Sequence, residues 1–211
     1  MGQAALTKEF SRKPPRESLD SVGALWRDYM WRYVDAGRGD PAGPFTAAAE
    51  SLQQAVQRAC DSKGEDGKMF FHQSKVKAAD RDEYARRLTR RPAFQFLAVA
   101  DTFEKVFDVC KSVGDDLHGI GPVTIYDVTA RIAGYKGLTA VYLHFHAGVA
   151  EGLKALYGPN EVREVIPRGK VKRLHRTALP RFFWDKDADL IESFLCGYRS
   201  ELERLRKERG W

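Results

Sequence analysis

Cysteine is scarce in this chain, three in 211 residues, and Cys60, Cys110 and Cys196 lie far apart. An odd, dispersed set disfavours a disulfide framework and any CxxC zinc site. An iron-sulfur cluster held by four thiolates would need one more cysteine. Reduced thiols are therefore expected, with no metal site, because zinc centres declare themselves by tighter His and Cys spacing than any found here. No run of about 18 apolar residues occurs, and the N-terminus lacks a charged-then-apolar leader. A cytoplasmic location with no membrane partner is expected. Leu6 stands where a myristoylation signal after Gly2 would carry Ser or Thr. Period-two alternation is also rare, so few strands and a mainly α fold are expected.

What the chain does have is a modest basic excess, 35 Lys+Arg against 29 Asp+Glu for a net +6, with 43% hydrophobic residues. That composition suits a globular domain and favours polyanionic partners. Residues 1–17 mix Lys8, Arg12, Lys13 and Arg16 with Pro14 and Pro15 and read as a flexible basic tail. The remainder, 18–211, reads as a single helical domain. Apolar spacing predicts helices from Ser18 to the RGD-containing loop after Gly37, and from Phe45 to Cys60. It predicts others over Asp80–Leu88, Phe94–Val99, from Phe103 to Gly114, from Pro122 to about Ala133, over Phe145–Tyr157, and one long helix over Asp187–Lys207. Arg86, Arg87, Arg90 and Arg91 crowd the exposed side of the Asp80–Leu88 segment. Between Val162 and Arg181 no helical stripe is seen, only a concentration of basic residues including Lys170, Lys172 and Arg173. A basic loop or short hairpin is expected there.

Leu117-His118-Gly119-Ile120-Gly121-Pro122-Val123-Thr124 is the most informative stretch. Two glycines permit a tight turn between helices and let backbone N–H groups approach an anion at the start of the next helix. Pro122 fits that helix's first turn. The segment resembles the helix-hairpin-helix motif, at about 103–133. The likeness to the helix-hairpin-helix DNA glycosylases, whose hairpin reads LPGIGPKTA, extends over roughly residues 101–158. It implies a multi-helix glycosylase-like fold and duplex DNA held by its phosphates at Leu117, His118, Gly119, Ile120, Gly121, Val123 and Thr124. It also implies a monovalent cation on backbone carbonyls near Leu117 and Ile120, and no other cofactor. Lys170, Lys172 and Arg173 offer a second phosphate contact.

Glycosidic cleavage in that family needs a carboxylate, and in bifunctional members a lysine nucleophile. The resemblance departs at both positions. Val123 stands at the lysine, and LTAVYLHFH over 138–146 holds no carboxylate, Tyr142 aligning best with the aspartate. The remaining candidates for chemistry are Asp127, Lys136, Tyr142 and His144. Phe70, Phe71, His72 and Gln73 combine aromatic faces with hydrogen-bonding groups, as a pocket for an extruded base requires. Two readings follow: a divergent DNA glycosylase that flips its base, or a noncatalytic DNA-binding module. A helical protein-interaction domain is a third, and the target base, lesion and oligomeric state stay open.

Overall fold

The computed structural model describes residues 21–35, 49–63, 67, 69, 73–165 and 173–209. The basic tail, the start of the Phe45 helix, and Phe70, Phe71, His72, Lys170 and Lys172 lie outside the described residues. The chain is mainly helical and divides into two compact units, Pro41–Ala140 and a second that joins Met1–Asp40 to Val141–Trp211. The 18–211 stretch read above as one domain holds parts of both units.

In the N-terminal unit's place stands α1, Val22–Tyr29, which Ser21 caps by accepting the Ala24 N–H, followed by a π-helical turn over Met30–Asp35. It belongs with the C-terminal elements: strand β1 (Tyr142–His144), α7 (Ala147–Tyr157), the short α8 (Val162–Val165), strand β2 (Arg173–His175), α9 (Ala188–Gly197) and α10 (Arg199–Arg209). Trp26, Phe183, Phe194 and Tyr29 form an aromatic core, with Tyr198 stacked on Phe194 at 5.4 Å between centroids. Edge-to-face contacts of this kind add to the area each ring buries. One long helix was expected over Asp187–Lys207, but it breaks at Tyr198, whose φ and ψ of −108° and 19° leave the helical region. There the Tyr198 hydroxyl donates to Asp28 Oδ2, 2.7 Å away, a carboxylate also bonded by Arg32. Satisfying a buried carboxylate favours that break, next to Gly197, over a continuous helix.

The Pro41–Ala140 unit contains α2 (Leu52–Asp61), α3 (Ala78–Leu88), α4 (Ala93–Val99), α5 (Phe103–Gly114) and α6 (Pro122–Tyr135). Ser51 and Thr102 cap α2 and α5 through their hydroxyls. Helix α6 is buried from Thr124 through Ala133, so it is the central element, packed against α2 and α5. Val56, Tyr84, Leu88, Leu97, Val106, Ile125, Val128 and Ile132 make its core. Each such side chain contributes about 1.5–3 kcal/mol by leaving water. Gly114 lets α5 and α6 meet closely: a Cβ there would lie 2.7 Å from Ile125 Cγ1.

Candidate functional site

Helices α5 and α6 are joined by the seven residues Asp115–Gly121, and the turn is built by its glycines. Gly119 adopts φ +94°, which a residue with a Cβ adopts only under strain. Ile120 is buried in the core and anchors the turn, while His118 and Gly119 face solvent. Leu117 N–H bonds Gly114 O, and Ile120 N–H bonds Leu117 O. Gly121 is the N-cap of α6 and has no side chain with which to cap it. The first helical bond is Ile125 N–H to Gly121 O. The Gly121, Val123 and Thr124 N–H groups therefore belong to the donors that a helix leaves without an internal acceptor. A Cβ on Gly121 would meet nothing within 4 Å, so this end of α6 faces open space.

One neighbour of the turn carries the wrong sign for an anion. A Cβ placed on Gly119 would stand 2.5 Å from Asp80 Oδ2, so the Asp80 carboxylate rests directly against the glycine. Asp80 lies in the first turn of α3.

Next to the turn runs an open groove lined by Arg86 and Arg87 of α3, by Arg90 and Arg91 just beyond it, by Phe96 of α4, and by Val109, Ser112 and Val113 of α5. Asp116, one residue before Leu117 in the turn, also lines it. Arg86 and Arg87 both bond Glu83 and hold its carboxyl down to about 2. The α3 arginines were legible as a charged helix face. Phe96 was not, because it reads as one apolar residue of a short apolar helix, yet it is 57% exposed.

The candidate chemical residues fall in different units and are already engaged. Asp127, in the Pro41–Ala140 unit, is buried and accepts the Gln73 amide N–H. Its carboxylate lies 3.9 Å from the Arg131 guanidinium. Arg131 is fully buried and donates at 2.9 Å to both Ala59 O and the Ser62 hydroxyl, closing the C-terminus of α2. Gln73 is buried as well, and its Oε1 has no hydrogen-bond partner among the described residues. Lys136 donates to the carbonyls of Leu97 and Ala98, both at 2.9 Å, which ties the end of α6 to α4.

Tyr142 and His144 belong to the other unit. They sit on β1, which pairs antiparallel with β2 so that Tyr142 faces His175 and His144 faces Arg173. The Arg173 guanidinium lies 4.9 Å from the centre of the Tyr142 ring, a cation-π contact. Burial pushes the His144 imidazole down to about 4, helped by the nearby Arg173 and His146 charges. Glu192, which sequence reasoning missed, is buried and accepts the His144 backbone N–H at 3.2 Å and contacts His146 Nε2 at 2.6 Å. His146 Nδ1 accepts the Gly148 N–H, so Nε2 carries the proton toward Glu192. Its role is to cap α7. A lone glutamate in an otherwise apolar helix stripe was the only sequence signal of this pair.

Among the described residues no group of three or more His, Cys, Asp or Glu side chains is placed to hold a metal, and no helix is long and apolar enough to cross a membrane. Cys60 and Cys110 are free, buried thiols. No protein family, curated protein or solved structure matches the chain.

Proposed function

We propose that this protein binds DNA through the α5–turn–α6 hairpin, as a noncatalytic module resembling the helix-hairpin-helix class. The observation that carries the reading is the start of α6, which has no side-chain cap and opens outward at Gly121. Backbone donors and the helix dipole there suit a phosphate oxygen. Such contacts hold a duplex without reading its sequence. The monovalent cation implied by the resemblance would sit on the Leu117 and Ile120 carbonyls. Among the described residues Leu117 O accepts one long 3.3 Å bond within the turn, which leaves a lone pair suited to an ion.

The noncatalytic form is favoured over the glycosylase because Asp127 is spent on Gln73 and Arg131, and Lys136 on two carbonyls. Neither is a poised base or nucleophile. Duplex binding measured by fluorescence anisotropy tests the reading with Gly121→Leu, whose side chain enters open space and blocks phosphate approach. The expected result is at least about a tenfold loss of affinity with unchanged helicity. Wild-type affinity in the folded variant would remove the hairpin assignment. Duplexes carrying single modified bases, treated with alkali after incubation, should show no strand breaks; breaks would restore the glycosylase.

A further inference from the structure

We infer that the arginine groove beside the hairpin binds a single strand of nucleic acid, with an unstacked base on Phe96 and phosphates on Arg90 and Arg91. The inference rests on the DNA reading above and specifies the form of substrate. Three features of the groove lead to it. Charge comes first: four guanidinium groups line it against the carboxylates of Glu83 and Asp116, leaving a cationic surplus. Arg86 and Arg87 are committed to Glu83, whereas Arg90 and Arg91 are exposed and make no ion pair among the described residues.

The second feature is Phe96. A ring left 57% exposed forgoes much of what full burial in the core would give it. Set in a wall of guanidinium groups, it offers a base both a stacking face and flanking cations. An acidic peptide would satisfy the arginines but leave the ring without a planar partner. Blunt duplex DNA would satisfy the phosphate contacts but keeps its bases stacked on one another. An unpaired strand uses both. Arginine suits the task because its planar fork matches phosphate oxygens in pairs.

The third feature is position. Asp116, which lies in the turn whose backbone donors are assigned to a duplex phosphate, also lines the groove. A strand leaving a duplex held at that turn enters the groove directly. The preferred substrate is therefore a duplex carrying a single-stranded extension.

The test compares three labelled oligonucleotides by anisotropy with the full chain: a blunt duplex, the single strand alone, and the duplex with a ten-nucleotide overhang. The overhang substrate should bind about tenfold more tightly than the blunt duplex. Phe96→Ala should lower affinity for the single strand and the overhang substrate by about tenfold and leave the blunt duplex unchanged. Phe96→Leu keeps the apolar bulk and should lose the same factor, which separates stacking from packing. Arg90→Gln/Arg91→Gln should weaken single-strand binding and flatten its salt dependence. Single-strand affinity that survives both sets of changes overturns the inference, as does complete displacement of the strand by poly-glutamate at equal charge concentration. Gly121→Leu reports separately on the hairpin: loss confined to the duplex-containing probes supports both assignments. Wild-type duplex binding in Gly121→Leu, alongside losses in the groove variants, removes the hairpin while the groove stands.

Discussion

Arg131 is the side chain on which the Pro41–Ala140 unit most depends. Its guanidinium is fully buried, bonds the Ala59 carbonyl near the end of α2 and the Ser62 hydroxyl, and faces the Asp127 carboxylate across 3.9 Å. Burying both charges is costly, and the arrangement is tolerable only because each finds partners. Truncating one partner is worse than removing both, since the survivor stays buried with fewer bonds. Arg131→Met is accordingly expected to cost about 3–5 kcal/mol in urea unfolding, and Arg131→Met/Asp127→Leu about half of that or less. A double variant as unstable as the sum of the two single ones would show that the pair is not coupled. Asp127→Asn serves as the functional control: stability should drop by about 1–3 kcal/mol while DNA affinity is unchanged. The same residue was a candidate catalytic group by sequence, because spacing puts it on the hairpin's second helix. Spacing could not show that this helix is surrounded on all sides.

At the scale of elements, the β1–β2 pair gives the second unit an acid-sensitive group. It places His144 opposite Arg173, and burial with that neighbouring charge keeps the imidazole neutral down to about pH 4. In the unfolded chain the same side chain takes a proton near pH 6.5. Between those values the unfolded state binds more protons, so stability rises with pH across this window and is lost as pH falls through it. The ceiling on the effect is about 3 kcal/mol. Chemical unfolding at pH 7.5, 5.5 and 4.5 should show the wild-type protein losing more stability on acidification than His144→Gln, which cannot titrate. Parallel pH curves for the two would refute the assignment of this slope to His144. Glu192 and His146 are present in both proteins, so the comparison centres on the His144 side chain.

Across the whole molecule, what was legible in the sequence follows the range of the interaction. The helices over Asp80–Leu88, Phe103–Gly114 and Pro122–Ala133 showed in local apolar spacing, and the α5–α6 turn in its two glycines, because both signals lie within a few residues of the structure they encode. The β1–β2 pairing, Arg131 on Ala59, Tyr198 on Asp28 and Glu192 on His146 join residues far apart in the chain, and no local pattern marks them. The division into two units was hidden for the same reason, since α1 packs with elements more than a hundred residues later. Charge at the proposed interface is likewise a sum over distant residues. The net +6 of the chain understates the basic groove, and it conceals Asp80, whose carboxylate lies against Gly119 where a phosphate would approach. Contact with about four phosphates would make log K for duplex DNA fall with log salt at a slope of about −3 to −4. Within that field, Asp80→Asn removes a repulsion worth about 1 kcal/mol at contact distance in water, so duplex affinity should rise about fivefold at low salt. The same change deprives α3 of an acidic side chain in its first turn and should cost about 0.3–1 kcal/mol of stability. A variant that is slightly less stable yet binds more tightly cannot be explained by damage to the fold. The gain should also shrink toward high salt, where ions screen the approaching phosphate from the carboxylate. Weaker or unchanged duplex binding by Asp80→Asn at low salt would place the phosphate elsewhere than the α5–α6 turn.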